Sequence, residues 1–116
     1  MEIVLREEGH VSVLSLTGRL DLASGTSLKE EIKKLFDRDC TSIHLDLSNV
    51  DFINSSGLGA LVSVMKEVRL RKGRLTLSNL ANYVKEIFEI TQLSHIFEIF
   101  ETEQEAIHSY QSVPTN

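Results

Sequence analysis

The stretch SIHLDLSNVDFINSSGLGALVSVMKEV, residues Ser42 to Val68, sets the arrangement of the whole chain. Its first part alternates apolar and polar side chains, which is the period of a strand with one buried face. Its last part repeats apolar residues three and four positions apart, as a helix with one buried face does. The apolar positions are Ile43, Leu45 and Leu47 in the predicted strand and Leu58, Leu61, Val62, Met65 and Val68 in the predicted helix.

Asn54, Ser55 and Ser56 lie where the two patterns meet. Short polar side chains accept hydrogen bonds from backbone amides that lack partners in the first turn of a helix, so these residues are typical caps. On spacing alone, a purely structural cap is the simpler explanation of the two serines. Gly57 and Gly59 are not explained by capping, because each costs a helix about 1 kcal/mol relative to alanine. Close approach of something else to the backbone would account for them.

Upstream of this stretch, the sequence predicts a hairpin and then a helix. Two β-prone runs, Glu2 to Glu7 and Val11 to Leu16, are separated by a short polar and glycine-containing turn. Thr17 to Asp21 is predicted as a turn-like passage that leads to Ser24, the candidate cap of the first helix. The apolar face of that helix is predicted at Leu28, Ile32 and Leu35.

Downstream, the pattern predicts two further units of strand and helix. Gly73 is predicted to stop the central helix, and Arg74 to Ser78 follows as an alternating strand. Asn79 is predicted to cap the next helix. Ile96 to Phe100 is predicted as a short final strand, and Thr102 with Glu105 forms the capping-box pair of a last helix.

This order of elements predicts an α/β fold with a mixed sheet of four to five strands, antiparallel at its start and parallel later. The alternation in the third and fourth strands indicates that one sheet face is less covered, so the helices are expected mainly on the other face. The domain is expected to span residues 1–112, and residues 113–116 are expected to be a frayed tail.

Composition indicates one globular domain with protein partners. The chain has 116 residues, of which 41% are hydrophobic and 25% are charged, as in ordinary globular proteins. Its net charge of −5 argues against non-specific nucleic-acid binding, which requires Lys and Arg to neutralise phosphates. Composition leaves the oligomeric state open.

The expected location is the cytoplasm. Cys40 is the single cysteine, which excludes an internal disulfide and fits a reducing compartment. Residues 1–8 carry three glutamates and no basic leader before an apolar segment, so a secretory signal is not expected. No apolar run approaches the length needed to cross a bilayer, so membrane insertion is not expected either.

No catalytic, metal or cofactor site is predicted. The G-x-S-x-G motif of nucleophilic serines fails, since Ile53 and Asn54 stand where its first glycine belongs. Gly57 and Gly59 form G-x-G, but Val62 occupies the third small position of a dinucleotide fingerprint. The chain is therefore predicted not to be an enzyme. The histidines, which lack metal-ligand spacing and are expected at the surface or half-buried, are His10, His44, His95 and His108.

The segment LDLSNVDFINSSGLGALV, Leu45 to Val62, resembles the signature of STAS domains, and specifically of bacterial anti-sigma factor antagonists. The resemblance extends over almost the whole chain. It includes GRLD at Gly18 to Asp21 and LSNLANYVKEIFEITQLSHIFEIF at Leu77 to Phe100. It therefore implies a STAS-like single domain.

The resemblance also implies a function. In that family a small α/β protein binds an anti-sigma factor that is also a serine kinase, and this binding releases the sigma factor. The kinase phosphorylates a serine at the start of the central helix, and a PP2C-type phosphatase removes the phosphate. By motif position the modified serine is Ser55. The implied partner-binding surface consists of Asp21, Asn54, Ser55, Ser56, Gly57 and Leu58.

Asn54 departs from the family pattern, because regulatory members usually carry aspartate directly before the phosphorylated serine. Two alternatives therefore stay open. The first is a STAS scaffold or accessory subunit that is not phosphorylated, in a stress-signalling complex or beside a lipid-transport ATPase. The second, from a different class, is a nucleotide- or small-molecule-binding module.

Overall fold

A computed structural model describes residues 1–111, so the predicted tail at residues 113–116 lies outside the described part of the chain. Strands and helices alternate after an initial hairpin, and a short 3₁₀ turn, Leu93–His95, precedes the last strand. The elements are β1 Glu2–Glu8, β2 Val11–Leu20, α1 Leu22–Asp37, β3 Ser42–Ile53, α2 Ser55–Leu70, β4 Arg74–Ser78, α3 Asn82–Ile90, β5 Glu98–Phe100 and α4 Glu103–Gln111.

The five strands form one sheet in the order β1-β2-β3-β4-β5. β1 is antiparallel to β2, whereas β2, β3, β4 and β5 are parallel to one another, which confirms the predicted mixed sheet. Each parallel neighbour is reached through a helix. Because such crossovers are right-handed and the strand order is sequential, α1, α2 and α3 lie on the same face of the sheet.

The main hydrophobic core lies between that face and the three helices. Leu14 and Leu45 are opposite each other in β2 and β3, and both are fully buried. Leu28, Leu61 and Phe88 contribute to the core from α1, α2 and α3, respectively. Burying a Leu or Phe side chain in this way stabilises a fold by roughly 1.5–3 kcal/mol. The helices are therefore held mainly on one face, as the alternating pattern predicted.

The opposite face is covered in part by α4, and this makes His44 fully buried instead of half-buried or superficial. The Tyr110 hydroxyl donates to the carbonyl oxygen of Ile43 at 2.7 Å and contacts Thr76 Oγ1 at 3.0 Å. His44 Nδ1 lies 2.7 Å from Thr76 Oγ1, and Nε2 lies 2.7 Å from Ser78 Oγ. The alternation of β3 and β4 thus marks a buried polar layer, because α4 closes over it.

The hydrogen-bond directions in this layer select one histidine tautomer. The Tyr110 hydroxyl gives its only proton to a carbonyl, so it accepts from Thr76, which in turn accepts from His44 Nδ1–H. Nε2 then accepts from the Ser78 hydroxyl. Burial lowers the pKa of His44 to about 4, and the Asp46 carboxylate opposes this only in part.

Two predictions before β3 are wrong. Thr17 to Asp21 is not a turn, because β2 continues to Leu20 through register shifts at Ser15/Thr17 and Gly18/Arg19. Ser24 does not cap α1. Asp21 is the cap, and its carboxylate accepts from the Ser24 amide at 3.1 Å. Ser24 occupies the third helical position, and its hydroxyl oxygen accepts a hydrogen bond from the Asp21 backbone amide at 2.8 Å. The two residues therefore form a reciprocal capping box.

Two predictions after α2 also need correction. Gly73 follows the end of the helix, but Lys72 takes the left-handed conformation there, with φ of 60°. A Cβ on Gly73 would lie 2.6 Å from Thr41 Cβ, so glycine is required by close packing. Asn79 does not cap α3, because Ala81 is the cap residue and makes no side-chain cap hydrogen bond. The Asn79 amide instead donates to Asp46 Oδ1 at 3.3 Å.

The predictions for the C-terminal part are confirmed. The last strand, Glu98–Phe100, lies within the predicted range and pairs with β4. The Glu105 amide donates to Thr102 Oγ1 at 3.1 Å, and the Thr102 amide donates to Glu105 Oε1 at 3.3 Å. This reciprocal pair is the predicted capping box, and it opens α4.

Candidate functional site

The ends of β2 and β3 bring two helix starts to one edge of the sheet. Leu20 and Ile53 are the last residues of their strands and are paired in the parallel register. One residue follows each strand, Asp21 or Asn54, and a helix begins directly after it. Because neighbouring strands lie about 4.8 Å apart, α1 and α2 present their N-termini side by side.

Of the three residues predicted as caps, Asn54, Ser55 and Ser56, only Asn54 caps α2, and the two serines lie inside the helix. Its side-chain oxygen accepts from the Gly57 amide at 2.9 Å, and its carbonyl oxygen accepts from the Leu58 amide at the same distance. The Asn54 amide donates to the Leu20 carbonyl at 3.2 Å, which ties the cap to the end of β2. The cap is therefore held from both sides, and the position of the first turn of α2 is fixed.

Ser55 and Ser56 are the first two residues of α2, and both are exposed. Within the part of the chain that the structure describes, neither hydroxyl and neither amide has a hydrogen-bond partner. The first turn of α2 also contains no acidic residue. The positive end of the helix dipole is therefore uncompensated, and it has two amide donors that an anion could use.

Asp21 lies at the same edge, but its carboxylate is already engaged. It accepts hydrogen bonds from the amide and the hydroxyl of Ser24, at 3.1 and 3.0 Å. Two hydrogen bonds hold the pKa of Asp21 below its usual value. The larger contribution comes from the bond that the Ser24 amide donates, and the smaller one from the bond that the Ser24 hydroxyl donates. Asp21 therefore places a fixed negative charge at the start of α1, the neighbouring helix.

Gly57 is buried, and the close approach predicted for its backbone is made by another part of the domain. A Cβ at this position would lie 2.7 Å from the carbonyl carbon of Leu20. Glycine is needed because α2 passes directly against the end of β2. Gly59 is different, since it is exposed and a Cβ there would meet nothing within 4 Å.

A second close contact joins the two helices just behind the site. A Cβ on Gly25 of α1 would lie 2.7 Å from Ala60 Cβ of α2. The small side chains at these two positions let the helix starts approach each other. This contact between Gly25 and Ala60 fixes the separation of the two caps. Neither Gly25 nor Ala60 was a predicted site residue.

Leu22 is a site residue that the sequence analysis missed. It is the first residue of α1, directly after the Asp21 cap, and its exposed fraction is 71%. At 100° per residue it lies about 120° around the helix from Leu28, outside the buried stripe. An apolar residue out of phase with its helix was the signal in the sequence. Leu58 of α2, which was predicted for this surface, is half-buried.

The described residues contain no group of three or more His, Cys, Asp or Glu side chains that could hold a metal ion. None of the helices between residues 1 and 111 combines the length and the apolar composition that crossing a membrane requires. The chemistry that this edge does offer is a pair of exposed hydroxyls, an uncompensated helix N-terminus and an exposed leucine.

The family model of the STAS domain matches residues 2–106. An anti-sigma-B factor antagonist of Listeria monocytogenes is 31% identical over 91 residues, which cover 78% of this chain and 79% of the relative. An anti-sigma-B factor antagonist of Bacillus subtilis is 30% identical over 88 residues, which cover 76% of this chain and 79% of the relative.

The solved structures of the Bacillus anti-sigma factor antagonist SpoIIAA share this fold. The unphosphorylated form has a TM-score of 0.76 at 24% identity, with 97% of this chain and 100% of that chain covered. The phosphorylated form has a TM-score of 0.73 at 24% identity, with 94% and 99% covered.

Proposed function

Because this chain belongs to the STAS domain family and, within it, to the anti-sigma factor antagonists, we propose that it binds an anti-sigma factor that is also a serine kinase. Binding frees the sigma factor for transcription. Phosphorylation of Ser55 by the same kinase ends the binding, and a PP2C-type phosphatase restores it. The cycle takes place in the cytoplasm, where the kinase has access to ATP.

The observation that carries this proposal is the exposed hydroxyl of Ser55 at the first position of α2. A protein kinase must enclose the acceptor hydroxyl closely, and this hydroxyl projects from a helix start without a hydrogen bond to any described residue. By motif position Ser55 corresponds to the serine that is modified in the family, which supports this choice. Ser56 is rotated by about 100° around the helix, so it would present its hydroxyl to a different point of the kinase.

The proposed partner surface is the edge formed by the starts of α1 and α2. Leu58 and the exposed Leu22 supply apolar contact area, while Asn54, Ser55 and Ser56 supply polar groups. Gly57 acts indirectly in this surface, because its contact with Leu20 positions the first turn of α2. Asp21 acts both as the cap of α1 and as the acidic rim of the surface.

A phosphate on Ser55 would be compatible with the folded domain but would weaken binding of the partner. It adds about −1.5 to −2 charges at a helix start whose dipole and free amides favour an anion. The neutral Asn54 side chain adds no repulsion, unlike an aspartate at that position. A partner surface fitted to an uncharged hydroxyl would, however, meet a strongly hydrated anion, and burying it without a counter-charge is costly.

The test uses the intact protein with a purified anti-sigma factor serine kinase of the same organism, ATP and Mg²⁺, followed by intact mass and fragment analysis. We expect one phosphate on Ser55 in the wild type, none in Ser55→Ala, and retained phosphate in the matched control Ser56→Ala. The finding of phosphate on Ser56, or of none with a kinase that phosphorylates another antagonist, would overturn the assignment.

A second function follows if that experiment yields no phosphate. Asn54 removes the carboxylate that usually precedes the modified serine, which favours a STAS scaffold or accessory subunit that is not phosphorylated. Such a protein would bind through the same edge of α1 and α2. Substituting Leu22→Asp would then weaken its complex, while Ser55→Ala would leave the complex unchanged.

A further inference from the structure

The outer edge of β1 has no strand beside it among the described residues. β1 is seven residues long and pairs only with β2, in a register without shifts from Glu2 to Glu8. The other edge of the sheet is β5, which has three residues. The sheet thus has one long, regular edge whose outward backbone groups are available for another strand.

This edge lacks two of the features that prevent strands from pairing, since its sequence, EIVLREE, contains no proline and its ladder with β2 contains no bulge. Four of its seven residues are charged, which restricts the registers in which another strand can pair. Two of its large apolar side chains are also exposed, with exposed fractions of 53% for Val4 and 41% for Leu5. They point to opposite faces of the sheet, since successive residues of a strand alternate.

The segment from Glu2 to Arg6 is complementary to itself when reversed. Its order is acidic, apolar, apolar, apolar, basic. If two copies run antiparallel with Val4 opposite Val4, Glu2 of each copy faces Arg6 of the other, and Ile3 faces Leu5. A shift of one residue would place Val4 opposite Leu5, whose side chains point to opposite faces of the sheet, and a shift of two would either place Glu2 opposite Glu8 or lose the pairing of Glu2 with Arg6. Charge therefore favours the register centred on Val4.

We propose that β1 pairs with β1 of a second copy of this chain, antiparallel and centred on Val4, so that the two sheets become continuous. The interface is isologous, because the same segment serves on both sides of a two-fold axis. The candidate sites at the ends of β2 and β3 then point in opposite directions along the joined sheet. Each copy keeps its own site open to a partner.

The two-fold symmetry allows a sharp charge-reversal test by sedimentation over a range of protein concentrations at low salt. In a dimer of Glu2→Arg, two arginines face each other at each end of the paired strands. In a dimer of Arg6→Glu, two glutamates face each other at each end. We expect each single variant to self-associate at least five-fold more weakly than wild type. In an equimolar mixture the opposite charges face each other again, so the two variants should form a mixed dimer about as well as wild type dimerises.

Two controls separate pairing from unrelated effects. Glu86→Arg changes the net charge of the chain as Glu2→Arg does, but it lies on the exposed surface of α3 and should leave self-association unchanged. Arg6 also contacts Glu103 of α4, so Glu103→Gln removes that contact without altering the edge. Val4→Asp, which places two carboxylates together at the two-fold axis, should abolish the dimer in a chain whose circular-dichroism spectrum is native.

A wild-type protein that stays monomeric at millimolar concentration would overturn the proposal. A mixture of the two charge variants that associates no better than either variant alone would overturn it as well. A dimer that withstands Val4→Asp would show that another surface is responsible. None of these results depends on the kinase, so they leave the proposed function of the Ser55 edge untouched.

Discussion

A methyl group on Gly57 would lie 2.7 Å from the carbonyl carbon of Leu20, well inside the contact distance of two carbon atoms. The start of α2 thus packs directly against the end of β2. The backbone amide of the cap residue Asn54 donates a hydrogen bond to the same Leu20 carbonyl. The position of the Ser55 hydroxyl depends on this packing within the domain.

The two glycines of α2 should respond to alanine in opposite directions. Gly57→Ala gains helix propensity of about 1 kcal/mol but forces α2 away from Leu20, and overpacking of this kind costs about 1–3 kcal/mol or more. Gly59→Ala meets open space and should stabilise the domain by about 0.5–1 kcal/mol. Urea unfolding of both variants measures the difference. Equal effects of the two substitutions would show that the contact with Leu20 carries no strain.

The cap of α2 should be sensitive to the loss of its oxygen but tolerant of added charge. Asn54→Ala removes the acceptor for the Gly57 amide and should cost about 1 kcal/mol of stability. Asn54→Asp keeps the acceptor and places a negative charge at the positive helix end, so stability should hold or rise by about 0.3–1 kcal/mol. Thermal unfolding of the two variants at low salt checks this order, which would be contradicted if alanine were neutral.

Stability should fall in the pH range where His44 accepts a proton only in the unfolded chain. The folded pKa is about 4, and the ordinary pKa is 6.5. Above pH 6.5 both states are neutral at this residue; between pH 6.5 and 4 the unfolded state binds the extra proton and stability is lost as pH falls. The full loss is about 3 kcal/mol at 1.36 kcal/mol per pKa unit. Urea unfolding from pH 7.5 to 4.5 measures it.

His44→Asn is the matched variant for the pH experiment. It removes the titrating group, so its stability should change less steeply than that of wild type between pH 6.5 and 4.5. Asp21 and Glu98, whose pKa values are lowered by hydrogen bonds from Ser24 and Arg74, titrate at lower pH and are common to both proteins. Parallel pH profiles of the two proteins would contradict a neutral, buried His44.

A charge at Ser55 should alter binding without unfolding the domain. Ser55→Asp places a carboxylate at the first position of α2, where the dipole favours it, so the melting temperature should stay near that of wild type. Affinity for the anti-sigma factor kinase should drop about tenfold or more, which corresponds to about 1.4 kcal/mol. Calorimetry measures the affinity. A folded Ser55→Asp protein that binds at full strength would favour the scaffold function.

Periodicity predicted the elements that bury a continuous apolar stripe. The helix Ser55–Leu70 and the first part of the strand Ser42–Ile53 were predicted from residues repeating at 3.6 and at 2, because burial on one face imposes that period. The pattern did not predict that this strand continues beyond Leu47 to Ile53. A polar cap at residues 54–56 was predicted for a similar local reason, because the side chains that can accept the free amides of a helix start are visible in the sequence. Which candidate residue caps the helix depends on where the preceding strand ends.

Residues whose roles depend on distant partners could not be predicted in the same way. Gly57 is required by Leu20, and His44 is buried by α4, which begins nearly sixty residues later. Ser24 and Asp21 are both good caps, and only the continuation of β2 to Leu20 decides that Asp21 is the one. Asn79 lies two residues before the cap residue Ala81, and its side-chain amide donates instead to Asp46 of the neighbouring strand.

The close contact between Gly25 and Ala60 restricts which substitutions the protein can accept during evolution. A larger residue at either position would push the two helix starts apart, so a change at one of them is tolerated only with a compensating change at the other. The Gly57 contact differs, because a Cβ there would meet backbone atoms of Leu20, which no substitution at Leu20 removes. Natural selection on the proposed site therefore acts on a pair of positions 35 residues apart as well as on the serines themselves.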